Sequence, residues 1–169
     1  VQATPVFFDG KRMTQRSYEQ LLIKAYEEEI GGAAYFDELT TIFTQADEVR
    51  KLSVLVELEN QTGAALHTLI QKHQLPTLSI EEINQQARKE AHATQGKTWQ
   101  QLMQLFAKDY PPYIQEFQNT FDLAPIEDKP ILQQTIEHEV VLIEFAQKEL
   151  SSQTHTTDVI NQHIAKYRV

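Results

Sequence analysis

The sequence predicts an all-α fold: an antiparallel four-helix bundle made of two helical hairpins, with a long crossover between helices 2 and 3 and a short C-terminal helix. Three observations predict it. The chain has only five Gly and six Pro in 169 residues, with 41% hydrophobic and 23% charged residues, which is the composition of a helix-rich globular chain. Apolar residues recur at three- and four-residue steps through each long stretch, the spacing of one helical face. The links between those stretches run short, long, short. Short links make antiparallel neighbours, and a link of about 25 residues can return the length of a bundle.

The elements follow in order. Residues 1–13 read as an irregular arm, with Phe7 and Phe8 expected to pack on the domain formed by residues 14–169. Helix 1 is predicted from Thr14, an N-cap residue, to Thr44. Asp47 is expected to cap helix 2, which must end before Pro76. Ser79 and Glu82 have the spacing of a capping box and place a shorter helix over 80–94, inside the crossover. Gly96 breaks the chain, and Thr98 caps helix 3 over 99–121, with Trp99, Met103, Phe106, Tyr110, Tyr113 and Phe117 on its apolar face. Pro111 and Pro112 remove the donors to the carbonyls of Ala107 and Lys108, so helix 3 should kink or split there, either as two shorter helices with a joint or as a deformed wall of the site beside Asp109. Asp128 is expected to cap helix 4, with Pro130 tolerated in its first turn, and the helix should end near Leu150. Thr157 caps a last helix over 158–167, expected to pack on one end of the bundle.

Acids interrupt three of the apolar stripes. The stripes read Tyr18, Leu22, Ala25, Glu29, Gly32, Phe36, Leu39 and Phe43; Leu52, Val56, Glu59, Leu66 and Ile70; and Leu132, Ile136, Glu139, Ile143, Ala146 and Leu150. An unpaired carboxylate in a helical core costs several kcal/mol. Such groups persist when they are paired, protonated or bound to a metal. Glu29, Glu59 and Glu139 lie near the middle of their helices, so they should meet at one height. Small residues follow the first two, at Gly31-Gly32-Ala33-Ala34 and Thr62-Gly63-Ala64-Ala65, and point to close helix approach or to room for a ligand between helices 1 and 2. Glu29 to Glu59 is a 30-residue step, and Asp109 to Glu139 repeats it.

Composition excludes several classes of function. With no cysteine there are no thiolate metal sites and no cysteine nucleophile. A net charge of −9 argues against a nucleic-acid partner. No apolar run reaches the length of a membrane span, so no membrane partner is expected. The N-terminus shows no signal pattern, which gives a cytoplasmic expectation. No phosphate-binding loop, nucleophile elbow or His-Glu-x-x-His motif occurs. Association into a homo-oligomer is left open.

The crossover between hairpins and the mid-helix glutamates resemble the ferritin-like superfamily, its rubrerythrin-type di-iron branch above all, over about residues 14–150. The resemblance implies a carboxylate di-metal centre with Glu29 as the helix 1 ligand and Glu59 and Glu139 as the bridging acids. Asp109 corresponds to the helix 3 acid, with Glu116 as its rival. The family pattern then places a histidine three residues after each bridging acid. Here those positions hold Thr62 and Leu142. His138 adjoins Glu139 but points about 100° around the helix, and His67 is two turns from Glu59; both are expected at an interface or on the surface, with His138 and Thr62 as accessory candidates at the metal site. His73, His92, His155 and His163 are expected on the surface.

Three functions compete. The resemblance with its altered motif implies a ferritin-like protein whose carboxylate metal site is lost or non-standard, acting as a binding or scaffolding module. Its alternative is a metal-dependent oxidase, peroxidase or oxygenase using iron or manganese. The third is a small-molecule binder. A standard rubrerythrin-type di-iron centre is not expected. Any cation should sit in an oxygen-rich site, and without one crowding should keep at least one glutamate protonated.

Overall fold

The structure is a computed structural model that describes the backbone of residues 7–168 and the side chains of residues 14–168. Seven helices make up the described chain: α1 (Phe7–Leu39), α2 (Ala46–Lys72), α3 (Ile80–His92), α4 (Trp99–Asp109), α5 (Pro111–Leu123), α6 (Lys129–Leu150) and α7 (Asp158–Lys166). There is no strand among the described residues. None of these helices is long and apolar enough to cross a membrane.

Several boundaries differ from the sequence reading. Residues 7–13 are helical rather than an irregular arm, because no proline separates Val6 from Leu39. The packing expected of Phe7 and Phe8 lies outside the described side chains. Helix α1 stops at Leu39, where the hydroxyls of Thr40 and Thr41 turn back onto the carbonyls of Asp37 and Glu38 at 2.6 and 2.8 Å. The N-cap of α2 is Gln45, and Asp47 lies in the first turn, bound to Lys51 at 2.6 Å and Arg50 at 2.7 Å. The capping boxes of Ser79 with Glu82 and of Thr98 with Gln101 form as expected. Helix 3 divides at Tyr110, directly before Pro111. Tyr110 keeps helical angles, so the two halves continue one another across the joint.

Two polar knots fix the directions of the helices. At one end the carboxylate of Asp128, which opens α6, accepts from Tyr18 of α1 at 2.8 Å, from Lys72 of α2 at 2.5 Å and from His73 at 2.6 Å. Asp128 therefore ties three segments together, and its side chain does not cap α6. At the other end Glu149 of α6 binds Lys51 of α2 at 2.8 Å, the indole N–H of Trp99 at 2.7 Å and the hydroxyl of Thr156. Helices α1 and α6 run one way, and α2 and α4–α5 run the other. Helix α1 packs on α2 and α5, and α6 packs on α2, α4 and α5. The crossover helix α3 lies against α1.

Helix α7 does not sit on an end of the bundle. It folds back into the groove between α2 and α6, where Ile160 and Ile164 are buried and Gln61 donates to the carbonyl of Ile164 at 2.9 Å. Its two isoleucines, four residues apart, share one face of α7, and that face is the one buried there. His163, expected on the surface, is buried with them, and His73 is drawn in by Asp128.

The core is divided in two. One apolar cluster centres on Phe36, Leu52, Leu58, Phe106 and Phe145. The other centres on Tyr18, Leu22, Leu66, Phe117 and Leu132. Each fully buried Leu or Phe contributes about 1.5–3 kcal/mol. Between the clusters lies a layer of polar side chains.

Candidate metal centre and its cleft

That polar layer consists of Glu29 from α1, Glu59 and Thr62 from α2, and His138 and Glu139 from α6. Glu29, Glu59 and Glu139 are 2%, 4% and 7% exposed, and Thr62 and His138 are fully buried. The three glutamates thus meet inside the bundle, as their stripes predict. The stripe of α2 runs through Leu55 and Leu58, one step round from Val56.

His138 is the centre of the layer and not an interfacial or surface residue. Its Nδ1 lies 2.8 Å from the hydroxyl of Thr62. Its Nε2 lies 3.2 Å from Glu59 Oε1 and 3.4 Å from Glu29 Oε2. Successive residues on a helix diverge by about 100°, and both His138 and Glu139 still point inward because α6 is covered on two sides. Helix α7 supplies the second cover: His163 meets His138 edge-on with ring centroids 6.4 Å apart. Burial, reinforced by His138, lowers His163 to about 4.

The other expected ligands do not join. Asp109 is exposed at the outer edge of the Pro111 joint, and Glu116 is half-buried in an ion pair with Lys24 at 2.5 Å. The 30-residue echo from Asp109 to Glu139 therefore has no counterpart in space. Helix α4–α5 instead turns Phe106, Tyr110, Tyr113 and Phe117 toward the layer. Leu142, in the position of a family histidine, belongs to the apolar core.

Gly32 makes room for Glu59. A Cβ there would stand 2.8 Å from Glu59 Cδ, closer than real Cβ atoms come. Gly63 lets α1 approach α2, since its Cβ would meet Ile30 Cδ1 at 3.1 Å. Gly32 and Gly63 therefore serve close contact between α1 and α2, and Gly31 and Gly32 also line a cleft.

Burial governs the charge of the layer. It holds Glu29 well above the usual carboxylate range, with Glu59 and Glu139 adding to the rise and His138 opposing it. It pushes Glu59 up to about 8, against a hydrogen bond from Glu29, and Glu139 up to about 8, against His138. Even so, Glu29 Oε2 and Glu139 Oε2 are buried with no hydrogen-bond partner. One donor atom each of Glu29, His138 and Glu139 lies within 4.8 Å of the others. Two orphaned carboxylate oxygens facing an imidazole nitrogen fit a divalent cation.

The layer is open to one side. A cavity of about 700 Å³ runs between α1, α3 and α4–α5, and reaches Glu29, Glu59 and Glu139. Its size is that of a small-molecule site. Gly31, Ile83 and Ala87 line the α1–α3 side, and Tyr35, Tyr110 and Tyr113 line the other. Burial holds the phenols of Tyr35 and Tyr110 above their usual range, so they enter the cleft as neutral hydroxyls.

Helix α3 and the tyrosines of α4–α5 escape sequence reasoning as site elements, because their apolar faces read as core. No protein-family model, curated protein or solved structure matches the chain.

Proposed function

We propose that this chain is a ferritin-like bundle with a non-standard carboxylate–histidine site for one divalent transition ion, manganese or iron, served by a small-molecule cleft. The observation that carries the reading is the pair of orphaned oxygens, Glu29 Oε2 and Glu139 Oε2, beside His138 Nε2. Glu29, Glu139 and His138 would hold the ion. Glu59, 3.2 Å from His138 Nε2, would orient the ring. Thr62 fixes the far nitrogen of the ring, as partners of metal-bound histidines do. One imidazole serves one ion, which supports a single site rather than a di-iron pair. Two antiparallel hairpins, a crossover and acids on α1, α2 and α6 support the ferritin-like assignment. A bound ion would supply a Lewis-acidic and redox-capable centre, and the cleft residues would hold a small molecule beside it.

Titration of chelator-stripped protein with manganese(II), followed by calorimetry and electron paramagnetic resonance, tests this. One ion should bind per chain. Glu139→Gln and His138→Ala should each lower affinity at least about tenfold, and Asp109→Asn should leave it unchanged. Absence of binding by manganese and iron alike sinks the reading. It would leave the second one, a metal-free binding or scaffolding module, which the burial that raises Glu59 and Glu139 to about 8 favours.

A further inference from the structure

Three half-buried tyrosines line the cleft: Tyr35 from α1, Tyr110 at the joint of α4 and α5, and Tyr113 from α5. Their rings are held by one another and by their neighbours. Tyr110 stacks on Phe106 with centroids 5.0 Å apart and meets Tyr113 at 6.0 Å, and Tyr35 meets Phe106 at 6.4 Å. Their hydroxyls are free. None is hydrogen-bonded to another described residue, and, unlike Glu29 Oε2 and Glu139 Oε2, none of the three oxygens is sealed off.

The groups around each hydroxyl show where it points. Tyr110 feels Tyr35, Glu139 and Glu59, and then Tyr113, so the three phenols are neighbours above the inner layer. Tyr113 feels Glu28 and Glu139 first, and Tyr35 feels Glu90 and the exposed Asp109. All of these residues line the cleft, so the hydroxyls turn into it.

The chemistry of a phenol selects what can meet it. Its hydrogen needs an acceptor, and its oxygen can also accept. A carboxylate or phosphate would bring that acceptor with negative charge into a cleft lined by eight acids and two lysines. An ammonium has donors only and leaves the phenolic hydrogens unmatched. A neutral oxygen remains. A hydroxyl suits the cleft better than an ether or a carbonyl, because it gives a hydrogen bond as well as taking one. Around the hydroxyls the walls are aromatic rings on one side and Ile83 and Ala87 on the other, and such walls cover an aromatic body.

We propose that the cleft binds a neutral hydroxyaromatic molecule, whose hydroxyl bonds the phenol trio of Tyr35, Tyr110 and Tyr113 and whose ring lies among theirs. This deepens the function proposed above by naming a ligand class, and it rests on that reading for the cleft alone, not for the ion.

The probes are p-cresol, its isostere p-xylene, the anion p-toluate and the cation p-methylbenzylamine. Each is titrated by ligand-observed NMR into the full chain, once stripped of metal and once with manganese added. The p-cresol should bind at least about fivefold tighter than p-xylene, the order of one or two neutral hydrogen bonds. It should also bind tighter than either charged probe. The triple variant Tyr35→Phe, Tyr110→Phe, Tyr113→Phe keeps the rings and removes the hydroxyls. It should bring p-cresol to within about twofold of p-xylene. Because the hydroxyls bond nothing in the free protein, the variant should keep the melting temperature of the parent and its affinity for p-xylene. Equal binding of p-cresol and p-xylene by the parent would overturn the proposal. So would tighter binding of a charged probe, or a p-cresol preference that survives the triple variant. A variant that melts lower and loses p-xylene as well would show that the hydroxyls serve the fold, and would overturn it too. Absence of p-cresol binding in protein that takes up manganese sinks this proposal alone. Absence of manganese binding in protein that prefers p-cresol sinks the metal reading alone.

Discussion

The hydroxyl of Thr62 lies 2.8 Å from Nδ1 of His138, and both side chains are fully buried. Thr62 occupies the position, three residues after Glu59, where the resembled family carries a histidine. The imidazole reaches the layer instead from α6, one residue before Glu139. The threonine hydroxyl meets the imidazole ring. It sets which nitrogen of His138 faces the acids, because a ring that engages the hydroxyl through Nδ1 presents Nε2 to Glu29 and Glu59.

Thr62→Val preserves the shape and removes that hydroxyl. The buried Nδ1 then lacks its partner, at a cost of about 1–3 kcal/mol. Manganese affinity should fall about 10- to 100-fold, as it does when a ligand histidine loses its outer hydrogen bond. Thermal unfolding and manganese titration of the same preparation measure the two effects. Unchanged affinity would show that the ring is held by packing alone.

The apolar stripes made Glu29, Glu59 and Glu139 legible, because a buried helix face repeats and an acid in it stands out. They did not make His138 legible. A residue about 100° from Glu139 falls off the stripe if α6 has one covered face. It has two, because α7 returns along the groove beside α2. The signal was the pair Ile160 and Ile164, whose spacing demands a groove to fill. Asp109 misled for the opposite reason. Its 30-residue distance from Glu139 matched that from Glu29 to Glu59, but the Pro111 joint leaves it exposed. The capping boxes and the division at Pro111 were legible because they depend on neighbours in sequence alone. The cleft was not, since it needs α3 placed beside α1.

Replacing Glu59 and Glu139 together by Gln keeps the shape of the layer and removes two of its ionisable groups. Both acids titrate near 8 in the fold, well above an unfolded glutamate. The folded metal-free state therefore holds more protons than the unfolded one between about pH 4.5 and 8, and stability falls as pH rises through that window. Chemical denaturation of stripped protein should show the parent losing stability from pH 5 to pH 8, and the double variant losing less. At pH 8 the variant should be the more stable of the two. Added manganese should stabilise the parent and leave the variant unchanged. A double variant that is less stable than the stripped parent at pH 8 would refute this account.

Gly32→Ala pits helix propensity against space. Alanine is favoured over glycine inside a helix by about 1 kcal/mol. The new Cβ would fall 2.8 Å from Glu59 Cδ, so the Glu59 carboxyl must leave the position in which it meets His138. Overpacking of this kind costs about 1–3 kcal/mol. The variant should be less stable than the parent, and its manganese affinity should drop with it. Gly31→Ala is the control. Its Cβ meets Ile83 Cγ2 at an ordinary 3.4 Å, so propensity should dominate and stability should hold or rise.

Asp128 gives the fold its acid limit. Burial raises its carboxyl, but hydrogen bonds from Lys72, His73 and Tyr18 outweigh burial and leave it below the usual aspartate range. A carboxylate lowered in the fold contributes stability that is present above the unfolded value, about 3.9. That contribution is lost as pH falls through the folded value. The parent should therefore lose stability below about pH 4, and Asp128→Asn should flatten that part of the profile. At pH 7 the variant gives up hydrogen bonds to a charged acceptor, each worth about 1.5–3 kcal/mol. It also leaves Tyr18 of α1 facing an amide in place of a carboxylate. Its melting temperature should fall at pH 7 and converge on that of the parent near pH 3. Because the knot ties α1, α2 and α6 at the end away from Glu149, hydrogen exchange should quicken first around Tyr18 and Ile70. Exchange that quickens evenly along the bundle would show that Asp128 does not act locally.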